Sequence, residues 1–191
     1  MRPVAKAALI IVVVLLSVGT TGAAWLALRW PMHPGQPPLA KAVNPGPSGV
    51  IINLTNIPDT GWQQGSFESN ATEAWTTFTK PGQYVSVTFN LTLWTANPWD
   101  AAWAPAKMNS IINSLSYSSE DGGITGADAS RFWSYNGGYS AGMVVRRYNV
   151  IFLILAISDN SSSLTKYDLG SWAGWQLTKV ESLAFTIVGY G

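Results

Sequence analysis

Eight consecutive apolar residues, Val150 to Ile157, constrain this chain more than any other stretch. A strand with no polar face is buried on both sides, so its sheet must be covered above and below. Ala141 to Arg147 reads as a second strand just ahead of it, and Tyr148-Asn149 as the tight turn between the two. Further upstream, Val85, Val87, Phe89, Leu91 and Leu93 alternate with Ser86, Thr88, Asn90 and Thr92. That period of two gives one apolar and one polar face, with Asn90 on the polar one. Trp75 to Thr79 is rich in Thr and aromatics, and Lys80-Pro81-Gly82-Gln83 has the Pro and Gly of a type II turn, so these pieces predict a hairpin. A further strand is expected at Val50 to Thr55.

Two helices are available as covers. Asn97-Pro98-Trp99-Asp100 supplies an N-cap, a first-turn Pro and an acid, after which Ala101, Ala104, Met108, Ile111, Ile112 and Leu115 recur on one face. Pro105 either kinks this helix or starts it, because inside a helix it costs about 3 kcal/mol. The second helix fits Leu164 to Leu183, with Leu169, Trp172, Ala173, Val180 and Leu183 inward and Gly170 and Gly174 weakening it. The order of strands, helix, strands, helix predicts an α+β domain, a mostly antiparallel sheet covered by helices on both faces.

The start of the chain sets the compartment. Ala7 to Leu28 is 22 residues without a charge, flanked by Arg2 and Lys6 before and Arg29 after. As a helix it crosses a hydrocarbon core of roughly 30 Å. Trp25 and Trp30 stand where an interfacial aromatic belt would place them, which favours a retained anchor over cleavage after Ala23 or Ala24. Six prolines then fall between Pro31 and Pro47, a composition that stays extended and builds no core. The expected organisation is an anchor or signal segment at 1–30, a Pro-rich linker at 31–49 and an extracytoplasmic domain at 50–191.

Composition narrows the chemistry. There is no Cys, and the one His, His33, lies in the linker, so disulfides, thiolate zinc sites and His-based catalysis are unavailable to the domain. From residue 51 onward there are seven basic and ten acidic side chains, a formal −3, which gives no electrostatic footprint for nucleic acid. Charged residues make up only 11% of the chain, so Ser, Thr, Asn and Gln must keep the surface wet. Sequons at Asn53, Asn70, Asn90 and Asn160, together with an export signal, point to surface glycosylation.

Several stretches suggest a family. They are Ile57-Pro58-Asp59-Thr60-Gly61-Trp62, Ile124-Thr125-Gly126-Ala127-Asp128-Ala129, Met143 to Phe152 with its Arg-x-x-Asn turn, and a C-terminal helix carrying Ala173, Gln176 and Lys179. In this order and spacing, over roughly 56–185, the chain resembles the PsbP/Mog1-like superfamily, in particular its small exported lipoprotein-type domains. The lipobox Cys of many such proteins is missing here. The resemblance implies a sheet between helices, a role in binding or assembly, and no conserved catalytic centre.

Candidate chemistry is sparse. Ser163-Leu164-Thr165-Lys166 matches Ser-x-x-Lys but lacks the companion motifs of penicillin-recognising enzymes. Glu120, Asp121 and Asp128 could serve acid hydrolysis or a hard cation, although Gly122-Gly123 reads more simply as a solvated turn. Arg146 and Arg147 at the hairpin tip could grip an anionic ligand, and Trp99 and Trp103 could form an exposed contact patch. No metal or cofactor is expected. The function these features suggest is a non-enzymatic, membrane-tethered binding or assembly domain of the cell envelope, whose partner is an envelope protein or glycan. An acid-active hydrolase and a surface-layer or filament subunit are the alternatives.

Overall fold

The computed structural model describes residues 41–43, 45–82, 86–97, 102–159 and 163–186. Its strands are β1 (Ala42–Val43), β2 (Gln63–Ser69), β3 (Glu73–Lys80), β4 (Val87–Thr95), β5 (Glu120–Asp121), β6 (Ala129–Tyr135), β7 (Ser140–Arg147), β8 (Val150–Ser158) and β9 (Phe185–Thr186). Its helices are α1 (Pro47–Val50), α2 (Trp103–Asn113) and α3 (Lys166–Ser182). Seven strands form one sheet in the order β2-β3-β4-β8-β7-β6-β5, every neighbour antiparallel, while β1 pairs separately with β9. The domain is therefore α+β. The apolar run at 150–157 is the central strand, between β4 and β7.

Each face of the sheet has its own helix. Phe78, Phe89, Leu91, Leu93, Met143, Phe152 and Ile154 share one face and one core with Leu169, Trp172, Ala173, Leu177 and Val180 of α3. Trp172 stacks on Phe89 at 4.8 Å and Trp62 meets both rings edge-on, at 5.1 Å and 5.7 Å. Such ring pairs add about 0.5–1.5 kcal/mol each beyond the area they bury. On the other face Lys107 of α2 places its Nζ 4.6 Å from the ring of Trp94. Ala104, Met108 and Ile111 of α2 are buried there with Trp94, Val144, Ile151 and Leu153. The alternation in β4 runs as its sequence pattern requires, with Thr88 and Asn90 on the α2 face and Phe89 and Leu91 on the α3 face.

Local chemistry sets the helix ends. Thr165 and Asp168 form a capping box at the start of α3, with Thr165 N–H donating to Asp168 Oδ2 at 2.8 Å and Asp168 N–H to Thr165 Oγ1 at 3.3 Å. Pro105 lies in the first turn of α2, where its missing N–H has no intrahelical partner to lose, so it neither kinks nor starts the helix. The N-cap of α2 is Ala102 rather than Asn97.

Two buried amides tie the early residues to the rest. Asn149 accepts from Val43 N–H at 2.8 Å and donates through Nδ2 to the carbonyls of Val43 (3.3 Å) and Ala96 (3.1 Å). Gln176, wholly inaccessible, accepts from Ile52 N–H at 3.0 Å and donates to the Val50 carbonyl at 2.9 Å. Each amide acts as a missing strand neighbour, satisfying backbone groups that water does not reach.

Two expectations change accordingly. Val50 to Thr55 is not a strand: Pro47 opens the short helix α1, and Asn53 Oδ1 accepts from Thr55 N–H at 3.0 Å, drawing Leu54–Asn56 into a 3-10 turn. Residues 42–43 and 47–49, placed by composition in a linker, belong to β1 and α1, with Ala42, Val43 and Pro47 buried.

Candidate functional site at the hairpin tip

The turn joining β7 to β8 carries the densest set of charged contacts near a sequence candidate. Tyr148 sits there at φ +54°, a left-handed conformation that costs a side chain about 1–2 kcal/mol. Its N–H donates to Asp128 Oδ2 at 2.7 Å, which holds it in place. Arg147 then distributes its fork over three partners: Nε to Glu181 Oε1 at 2.6 Å, Nη1 to Asp128 Oδ1 at 3.0 Å, and Nη2 to Tyr148 Oη at 2.6 Å. The guanidinium carbon lies 4.0 Å from the centre of the Tyr148 ring, and Lys41 Nζ lies 5.6 Å from the same centre. Burial works against the Arg147 charge, but the Glu181 and Asp128 hydrogen bonds outweigh it and raise its pKa.

Chemically this is an internal hub. It ties β7, the loop before β6 and the last turn of α3 together, and the Arg147 donors are engaged by Glu181, Asp128 and Tyr148. Arg146 does not join it, because consecutive strand residues point to opposite faces. It stands on the α2 face in the row of Ile151 and Ala129, half-buried, with an Nε that has no hydrogen-bond partner among the described residues. The structure thus separates the two arginines that the sequence places side by side.

The other candidates are also apart. Ser163 Oγ donates to the Gly137 carbonyl at 3.3 Å, while Lys166 Nζ donates to the Asp121 carbonyl and pairs with Glu120, both at 3.3 Å. Ser-x-x-Lys therefore forms no nucleophile and base pair. Asp121 faces Arg131 at 3.7 Å, and Asp128 belongs to the Arg147 hub. Among the described residues no three His, Cys, Asp or Glu side chains gather as a metal site would require. Trp103 is the first residue of α2, half-buried and engaged with a neighbour. Trp99 and Asn160 lie outside the described residues, as does the apolar span 7–28. Among the described residues no helix is long and apolar enough to cross a membrane.

Sequence reasoning missed one charged cluster. Glu73 at the start of β3 and Lys107 of α2 lie beside Trp94, both half-buried and each within the other's field. Burial pushes the Glu73 carboxyl up, opposed by the Lys107 charge and by Trp94, and burial pushes Lys107 down, opposed by Glu73. The Lys107–Trp94 contact links α2 to the sheet. Nothing local signals the cluster, since the two charges come from elements far apart in sequence.

The sequons occupy contrasting places. Asn53 and Asn70 are exposed in turns, each using Oδ1 to cap backbone N–H groups: Thr55 at 3.0 Å for Asn53, and Thr72 and Glu73, both at 2.9 Å, for Asn70. Asn90 is half-buried in β4 between β3 and β8, its Oδ1 accepting from Thr77 Oγ1 at 2.7 Å. Comparison with known proteins finds no matching family model, no matching curated protein and no matching solved structure.

Proposed function

We propose that this protein is a membrane-tethered extracytoplasmic domain of the cell envelope that binds or assembles a partner without catalysing a reaction. The observation that supports the reading is how residues 42–52 are stitched to the fold, through Asn149 and Gln176 at both ends of that segment. A domain gripped so firmly where its tether would join is suited to presenting a fixed surface at a membrane. The carboxylates around it serve as ion-pair partners and caps, which is the work of a scaffold. The PsbP/Mog1-like assignment, with helices on both faces and an N-terminal spanning helix, belongs to the same proposal. Here the Asn of its Arg-x-x-Asn turn is the residue that holds Val43 and Ala96.

Membrane fractionation and crosslinking of the full-length chain test it. The protein should stay in the pellet after a carbonate wash and give one discrete crosslinked partner from native membranes. A soluble species beginning at Ala24 or Trp25 would refute the tether, and turnover of peptide or glycoside substrates at low pH would refute the non-enzymatic reading.

A further inference from the structure

The two edges of the large sheet are protected very differently. β5, at one edge, is two residues long and both are carboxylates, Glu120 and Asp121. A short, charged edge does not invite another strand. β2, at the other edge, is seven residues long, has Glu68 as its one charge, contains no Lys or Pro, and exposes Phe67 at 46%. The bulge between Gln64 and Phe67 interrupts one part of it. By the usual rules this edge is a template for edge-to-edge pairing.

Both exposed sequon turns lie at the ends of this strand. Leu54 N–H donates to Gln64 Oε1 at 3.4 Å, which sets the Asn53 turn beside the beginning of β2. Asn70 follows Ser69 directly, in the turn to β3. The acceptor Asn and the Thr two residues on are exposed in each case, Thr55 and Thr72 included. At Asn90, by contrast, the corresponding Thr92 is 4% exposed and the backbone is paired on both sides. A glycan there would have to seat on the Thr77–Asn90 row of the sheet.

We propose that Asn53 and Asn70 are N-glycan acceptors whose sugars guard the open edge of β2, and that Asn90 is unmodified. In each transfer Nδ2 bonds to the anomeric carbon of a lipid-linked oligosaccharide. The bond from that carbon to the lipid diphosphate breaks, the diphosphate leaves, and one Nδ2 proton passes to a base on the transferase. With β2 about 20 Å long at 3.3 Å per residue, sugars at its two ends cover most of the edge. The inference rests on the extracytoplasmic placement proposed above.

The test is peptide mass mapping of the full-length protein from native membranes, before and after chemical deglycosylation. It is paired with sedimentation of the detergent-solubilised protein and of a Thr55→Ala/Thr72→Ala variant, which removes both sequons and leaves the Asn caps in place. Glycan mass on the Asn53 and Asn70 peptides, none on the Asn90 peptide, and a shift of the variant from monomer toward oligomers are expected. An Asn53→Asp/Asn70→Asp variant keeps the Oδ1 caps, must also lose both masses, and checks that the loss is not one of folding. A bare Asn53 or Asn70, a glycan on Asn90, or a Thr variant as monodisperse as the parent overturns the proposal. Protease treatment of intact cells separates the causes: cleavage of a bare domain overturns this inference alone, whereas protection overturns the extracytoplasmic reading with it.

Discussion

Replacing Gln176 by Leu tests the clamp on the early residues most directly. The substitution roughly keeps the side-chain volume but removes the acceptor for Ile52 N–H and the donor to the Val50 carbonyl, leaving two backbone groups unpartnered where accessibility is 1% and 0%. A buried polar group stripped of its partner costs about 1–3 kcal/mol, and with some return from the apolar Leu the net loss is about 3 kcal/mol. At roughly 3 °C per kcal/mol this predicts a melting temperature lower by about 10 °C, read by far-ultraviolet circular dichroism on the full-length protein. Gln176→Glu gives the same clamp a pH signature. Its carboxylate accepts from Ile52 N–H but faces the Val50 carbonyl, and only the protonated form donates to it. Burial raises the folded pKa above the unfolded value of about 4.3, so the native state binds more protons and stability falls as pH rises through the window between the two. The deficit against wild type should be largest at neutral pH and shrink on acidification, by about 1.4 kcal/mol per unit of pKa shift. An unchanged melting temperature in Gln176→Leu, or a Gln176→Glu deficit that grows in acid, would refute the reasoning.

Three further outcomes are expected. Gly142→Ala adds a Cβ that would overlap the indole of Trp133, so either Trp133 moves or β7 does; a loss of about 1–3 kcal/mol and altered tryptophan fluorescence should follow, and unchanged emission and melting would contradict the packing. Arg147→Lys keeps the charge but cannot reach Glu181, Asp128 and Tyr148 together, so the urea midpoint should fall by an amount equivalent to about 1–2 kcal/mol, and an unmoved midpoint counts against the hub. Glu73, with its raised pKa, makes the domain gain stability as pH falls through that pKa, whereas Asp59, with its lowered pKa, loses stability as pH falls through its own. Glu73→Gln removes the gain, so melting temperatures recorded from pH 7 to pH 3 should fall more steeply in the variant than in wild type, and parallel curves would exclude this role.

What could be read in advance followed from repetitive chemistry. The alternation at 85–93, the apolar run at 150–157 and the inward stripe at Leu169, Trp172, Ala173 and Val180 each repeat with a secondary-structure period, and they became β4, β8 and α3. β2 and β6 were not legible. Gln63–Ser69 is almost wholly exposed and Ala129–Tyr135 mixes Arg, Ser and aromatics, so neither shows a clean period of two. The arginines were visible as residues but not as opposite faces of one strand. Asn149 and Gln176 were invisible in their roles, because their partners are backbone groups more than a hundred residues away for Val43, Ile52 and Val50.

The pairing of Ala42 with Thr186 and Val43 with Phe185 has a mechanical side. Tension applied to the chain ahead of Lys41 enters at the outer end of β1 and loads its short pairing with β9 first. The next elements under load are the Asn149 amide and then, past α1, the Gln176 amide. Each anchors on an element of the main core, β8's turn and α3. A pull on the chain ahead of Lys41 is therefore divided between the β7–β8 turn and α3, so that force enters the core at two separate points rather than one.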